Sequence, residues 1–159
     1  MGSDKTIDEA QVRAAIADLA TLPGALLPML HRVQERFGCV PPVAVSAIAR
    51  TLNLSRAEVH GVVTFYHDFR ETPAGRHVVK ICRAEACQSM GADRLIAHAE
   101  SRLGVSLGAT RTDAEYTLEP IYCLGNCALS PAAVIDGEIH GRVSAERFDA
   151  LLAAAESTS

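Results

Sequence analysis

His77-Val78-Val79-Lys80-Ile81-Cys82-Arg83-Ala84-Glu85-Ala86-Cys87 opens with a β-branched run and closes on two cysteines with four residues between them. Such a run reads as a strand that ends at Cys82. A second stretch repeats the arrangement. Thr117-Leu118-Glu119-Pro120-Ile121-Tyr122 reads as a strand weakened in its middle by Pro120, and Cys123-Leu124-Gly125-Asn126-Cys127 follows directly. Two strand ends at one edge of a sheet bring two short loops face to face, which would gather four thiolates around one point on rigid supports. Cys82, Cys87, Cys123 and Cys127 are therefore the candidate metal ligands.

Around this pair of motifs the predicted elements alternate. Gly91 to Leu103 reads as a helix with Leu95, Ile96, Ala99 and Leu103 on one face. Ala132-Ala133-Val134-Ile135 and Glu138-Ile139-His140 flank Asp136-Gly137, a strong hairpin signal. Ser144 caps a last helix through Phe148, Leu151 and Leu152. The order β-α-β-β-β-α argues for a compact α/β domain over residues 75–159.

Upstream the texture is helical throughout. Thr6-Ile7-Asp8-Glu9 has a capping-box pattern and opens a helix to about Ala20. Leu26, Leu27, Leu30, Val33 and Phe37 repeat at helical spacing until Gly38 stops them. Pro41 and Pro42 start a third helix carrying Val45, Ile48, Ala49 and Leu52. Ser55-Arg56-Ala57-Glu58 is a second capping box, leading into Val59, Val62, Val63, Tyr66 and Phe69. Residues 1–74 are thus predicted to form a small helical bundle, which makes the whole chain α+β.

Composition narrows the class. At 48% hydrophobic and 21% charged, the 159 residues can bury a core and should not be disordered. A net charge of −4 gives no electrostatic case for nucleic acid or an anionic membrane. Neither a signal-peptide h-region nor a membrane-spanning apolar run is visible, so a cytoplasmic location is expected. Five cysteines in a reducing compartment, an odd number, argue for metal rather than disulfides. Cys39, alone in the helical half, reads as a buried or half-buried free thiol.

Four thiolates suit zinc or an iron–sulfur cluster. Structural zinc favours two-residue gaps, whereas gaps of four and three suit a cluster with two separate irons. Unmetallated, redox-active thiols are the remaining alternative, although a C-x-x-C motif is absent. Gly125 and Asn126 both tolerate positive φ, so backbone N–H groups in the second loop can turn towards sulfur. Gly91 can let the following helix approach closely. Glu85 is expected to face solvent, since an inward carboxylate would oppose reduction.

Taken together, these residues resemble the 24-kDa-type subunit of respiratory complex I and its thioredoxin-like [2Fe–2S] relatives. The resemblance is carried by Gly61-Val62-Val63-Thr64-Phe65-Tyr66 with Phe69, and by Cys82-x4-Cys87-x3-Gly91-Ala92. Cys123-Leu124-Gly125-Asn126-Cys127 with Pro131, and the hairpin through Asp136-Gly137 and Gly141, complete it. Within that family the loop from Cys82 to Gly91 is similar to that of gamma subunits of soluble NAD-dependent formate dehydrogenases. Equivalent subunits occur in complex I and NAD-linked hydrogenases.

The resemblance implies a thioredoxin-like C-terminal domain with one [2Fe–2S] cluster on Cys82, Cys87, Cys123 and Cys127. It implies a hetero-oligomer in which the cluster exchanges single electrons with the flavin of a partner subunit. That partner, not this chain, would carry FMN and NAD. A cis peptide bond before Pro131 is expected on the same ground. Ala84 and Ala86 stand where complex I commonly has hydroxyl residues, which withdraws the hydroxyl-to-sulfur bonds expected there.

No catalytic triad, P-loop or G-x-G-x-x-G is present, so no catalytic residue is assigned and the chain is not expected to be an enzyme in isolation. A reading of another class is a zinc-stabilised interaction module without redox role. Val62, Val63 and Tyr66 are expected in a buried stripe, with Thr64 and His67 as exposed contacts.

Overall fold

The computed structural model of the chain describes residues 7–158. They fall into two compact units that divide between Pro73 and Ala74.

The first unit is built from α1 (Glu9–Ile16), α2 (Leu26–Phe37), α3 (Pro42–Leu52) and α4 (Arg56–Phe65). Val12, Ile16, Met29, Leu30, Val33, Ile48 and Val59 are almost fully buried and form its core. Two of these helices end where the sequence offers a stop. Gly38 after α2 and Asn53 after α3 take left-handed conformations, with φ of 78° and 53°. Pro42 begins α3, where its missing N–H costs nothing.

Two expectations for the first helix need correction. The first helix is capped by Asp8, not by Thr6, which lies outside the described residues. Asp8 accepts from the Gln11 N–H at 2.7 Å, and the Gln11 side chain accepts from the Asp8 N–H at 3.1 Å. That helix also stops at Ile16 and tightens into a 3₁₀ turn over Ala17–Leu19, so it does not run on to Ala20 as an α-helix.

The fourth helix ends at Phe65, and Tyr66 is already extended. A side-chain amide explains the turn that follows. Gln34 donates to the Asp68 carbonyl at 2.6 Å and accepts from the Arg70 N–H at 2.7 Å, giving this irregular backbone both bonds that a helix would supply. Phe69 is buried from a loop rather than a helix, and Tyr66 is 45% exposed rather than part of a buried stripe. Thr64 bonds back to the carbonyls of its own helix, while His67 is exposed.

The second unit is a five-stranded mixed sheet in the order β2-β3-β1-β4-β5. The strands are β1 (His77–Cys82), β2 (Ala109–Thr110), β3 (Tyr116–Ile121), β4 (Ala133–Ile135) and β5 (Glu138–His140). The helices are α5 (Glu85–Ser89), α6 (Ala92–Leu103) and α7 (Ala145–Thr158). The predicted order lacks β2 and α5. The first is two residues long and the second barely more than one turn, too short for a periodic pattern to register.

β1 and β3 run parallel, with Cys82 opposite Ile121, and every other pairing is antiparallel. The core under the sheet is Val79, Ile81, Leu95, Leu103, Leu118, Phe148 and Leu152. Asp136 and Gly137 have φ of 49° and 90°, the double left-handed geometry of a tight hairpin turn. Asp136 also reaches back to the start of β1. Its carboxylate meets His77 Nδ1 at 2.7 Å and accepts from the Val78 N–H at 2.8 Å. Among the described residues no helix is long and apolar enough to cross a membrane.

The cap of α4 gives a pH-dependent test. The backbone N–H and hydroxyl of Ser55 hydrogen-bond Glu58 and hold its carboxyl below the ordinary carboxylate range. A depressed folded-state pKa contributes stability above the unfolded value, about 4.3, and loses it as pH falls through the folded value. Glu58→Gln should therefore lower the thermal midpoint at neutral pH, and the deficit should narrow as pH drops below about 4. A deficit independent of pH would show that the ionised carboxylate is not what the cap uses.

Candidate metal centre

β1 ends on Cys82, which is 2% exposed, and the chain then passes into α5, which carries the equally buried Cys87. Hydrogen bonds tie this exit in place. The Cys82 N–H donates to Ala132 O at 3.0 Å, and the Arg83 N–H to Ile121 O at 2.8 Å. Ala92, Ala132, Ala84, Ile121 and Leu124 pack round the two sulfurs. The second pair sits on the loop that follows β3, and both Cys123 and Cys127 are exposed. Their sulfurs lie 3.8 Å apart. Two sulfurs on one tetrahedral ion, with metal–sulfur bonds of about 2.3 Å, lie about 3.8 Å apart.

Backbone donors surround these sulfurs. Burial pushes the Cys82 thiol up, but N–H groups of Ala84, Cys123 and Leu124 and the Cys87 thiol all face its sulfur, and together they hold it below the ordinary cysteine range. The Gly125 N–H points at Cys123 Sγ from 3.4 Å. Cys127 is pushed up, first by its hydrogen bond with Cys123 and then by the charges of Cys123, Cys87 and Cys82. The first pair of cysteines thus contributes to the upward push on the second. Among the described residues, no three His, Cys, Asp or Glu side chains are grouped as ligands of a single ion. The sulfurs are better described as two pairs than as one focus.

The loop geometry is partly as expected. Gly125 does take positive φ, at 72°. Asn126 does not, with φ of −102°, and the other left-handed residue in the loop is Cys123 itself, at 75°. Glu85 is exposed, as expected. Gly91 has φ of 94°, which is its reason to be glycine; the atom nearest a Cβ there would be the mobile end of Arg94. The Ser130–Pro131 bond is cis. Cys39 lies in the helical unit, buried, with its thiol pushed up by desolvation.

Two residues at the site carry no signal of their role in the sequence. Ser130 is buried, donates to Cys127 O at 2.7 Å, and lies 3.5 Å from Cys87 Sγ. Gly141 stands out in the sequence only as part of the hairpin motif. A Cβ there would fall 2.6 Å from Leu129 Cβ, 2.9 Å from Asn126 Nδ2 and 3.0 Å from Leu129 O. The next residue donates from Arg142 N to Leu129 O at 2.6 Å. Gly141 is thus the seat on which the loop of Cys127 rests.

A family model for thioredoxin-like [2Fe–2S] ferredoxins matches residues 12–156, almost the whole chain. The chain belongs to that family. It is 37% identical over 130 residues to the E subunit of NADH-quinone oxidoreductase from Pseudomonas aeruginosa, covering 82% of this chain and 78% of that protein. The HndA subunit of the NADP-reducing hydrogenase of Solidesulfovibrio fructosivorans is 28% identical over 144 residues, covering 89% of this chain and 84% of that one. Among solved structures, an NAD+-reducing [NiFe]-hydrogenase in the H2-reduced state superposes with a TM-score of 0.71 at 25% identity. The match covers 84% of this chain but only 22% of the hydrogenase chain, so there the shared part is one segment of a longer polypeptide.

Two outcomes follow from this geometry. In cluster-free protein, Cys123 and Cys127 should be alkylated before the others, because they are exposed while Cys39, Cys82 and Cys87 are buried. A mass-spectrometric time course in which Cys39 keeps pace with Cys123 would contradict the burial described. Gly141→Ala should lower the iron retained after purification, because two of the three atoms it meets, Leu129 Cβ and the Leu129 carbonyl oxygen, are backbone or next to backbone and cannot turn aside. Gly61→Ala, whose Cβ meets nothing within 4 Å, is the control and should keep it.

Proposed function

We propose that this chain is an electron-transfer subunit of an NAD-linked oxidoreductase complex whose [2Fe–2S] cluster is held by Cys82, Cys87, Cys123 and Cys127. The observation that carries the reading is the two sulfur pairs at the joint end of two parallel strands, one pair with the spacing of two ligands on one metal. When bound, the cluster takes up and gives back one electron at a time. Cys82 and Cys87 form its buried floor, and the N–H groups of Ala84, Cys123, Leu124 and Gly125 offset the negative charge gathered there. Cys123 and Cys127 form the outer edge.

Tyr122 and Leu129, both exposed, bracket that edge in sequence and offer apolar surface to a partner. The partner fitting this role carries a flavin and an NAD site, and its flavin converts a two-electron hydride into single electrons. The chain itself supplies no catalytic residue; substrate chemistry belongs to other subunits. The relatives support the reading, because their names tie them to NADH-quinone oxidoreductase and to NAD(P)-reducing hydrogenases.

The finer assignment is the gamma subunit of a cytoplasmic NAD-dependent formate dehydrogenase. It rests on the likeness of the loop from Cys82 to Gly91.

Purified without oxygen, the chain should be coloured, contain about two irons, and give a paramagnetic signal when reduced. Cys82→Ser, Cys87→Ser, Cys123→Ser and Cys127→Ser should each lose iron, while Cys39→Ser keeps it. Colourless protein with stoichiometric zinc would overturn the reading. For the finer assignment, the complex isolated around the native chain should reduce NAD+ with formate. A complex driven only by hydrogen, or one that reduces only quinone, would assign the chain to a different assembly.

A further inference from the structure

Ser130 touches both cysteine pairs with one hydroxyl. Its Oγ donates to the Cys127 carbonyl at 2.7 Å and receives the Cys87 thiol at 3.5 Å, and the residue is only 9% exposed. A hydroxyl has one proton and two acceptor positions, and it rotates to suit its surroundings. A thiol that binds metal has lost its proton and can only accept. With Cys87 as a ligand, the 3.5 Å contact survives as a hydrogen bond only if Ser130 becomes the donor. Its single proton then has two acceptors, the carbonyl of Cys127 and the sulfur of Cys87.

Turning towards sulfur leaves nothing orphaned. The Cys127 carbonyl also accepts from the Ser130 backbone N–H at 3.3 Å, so it keeps a partner when the hydroxyl departs. An extra electron raises the negative charge on the cysteine sulfurs, and a donor is worth more to the more negative acceptor. The site is buried and poorly screened, so that difference is felt in full.

We propose that Ser130 tunes the reduction potential of this centre, its hydroxyl shifting from the Cys127 carbonyl to the Cys87 sulfur when an electron arrives. No covalent bond changes in the step. The proton stays on Ser130 Oγ, and the electron comes from the partner's reduced flavin or, in the test, from an electrochemical mediator. The proposal rests on Cys87 and Cys127 being ligands of the cluster. It also fills the gap left by Ala84 and Ala86: the hydroxyl comes from the second loop, not from the first.

Mediated redox titration of the iron-loaded chain, followed by electron paramagnetic resonance, tests it. Ser130→Ala should make reduction harder by up to about tenfold, which is about 59 mV more negative for a one-electron couple. Ser130→Thr keeps a hydroxyl and should stay near the wild type. Ser89→Ala, whose hydroxyl bonds only Ala86 O at 2.9 Å, should change nothing. An unshifted potential in Ser130→Ala would overturn the proposal, whereas a wild-type chain with no cluster would overturn the ligand assignment instead.

If Ser130→Ala fails to fold, the wild type still decides. Redox-difference infrared spectra of protein carrying carbonyl-13C cysteine should show one cysteine carbonyl losing a hydrogen bond on reduction. No shifted cysteine carbonyl would count against the switch.

Discussion

The parallel pairing of β1 with β3 is the constraint on which the site depends. Parallel neighbours finish at the same edge of a sheet, so Cys82 at the end of one strand lies beside the loop that leaves the other. An antiparallel pairing would send the two cysteine loops to opposite edges. Parallel strands also cannot be joined by a tight turn; they need a long crossover. Here that crossover contains α5 and α6, and α5 carries Cys87. The connection demanded by the topology therefore supplies the second inner sulfur.

Two electrostatic effects oppose each other at this edge. Gathering four thiol groups favours the neutral forms, as the upward push on Cys127 shows. Backbone N–H groups turned towards Cys82 and Cys123 act against it, and the acidic neighbour Glu85 is kept in solvent. The left-handed backbone at Cys123 and Gly125 belongs to the turn that presents these donors. The backbone shape that turns these donors towards sulfur is the one that the proposed cluster ligation would call for.

Much of this is legible from residues alone. Spacing finds the four cysteines, β-branched runs find β1 and β3, and Asp136-Gly137 finds the hairpin, because each signal lies within a few adjacent residues. What escapes depends on contacts between distant parts of the chain. Gln34 replacing the backbone bonds of residues 68–70 leaves no periodic trace, and neither does Asp136 reaching His77. The cap of the first helix is ambiguous in sequence because Thr6-Glu9 and Asp8-Gln11 offer overlapping capping pairs. Ser130 reads in sequence as an ordinary loop serine. Only the fold brings it within reach of Cys87, and only the crowding under Leu129 explains why Gly141 has no side chain.

The unequal burial of the two cysteine pairs has a chemical cost. If Cys123 and Cys127 hold the cluster as proposed, an open outer pair would shorten the route by which an electron leaves, since no layer of protein covers these sulfurs. The same opening admits dissolved oxygen and small oxidants to those sulfurs, while Cys82 and Cys87 stay covered. Damage would accordingly begin at the loop and leave the inner half intact. A partner seated there would act as a cover as well as a conduit, and the lifetime of the centre in air should lengthen when the complex assembles.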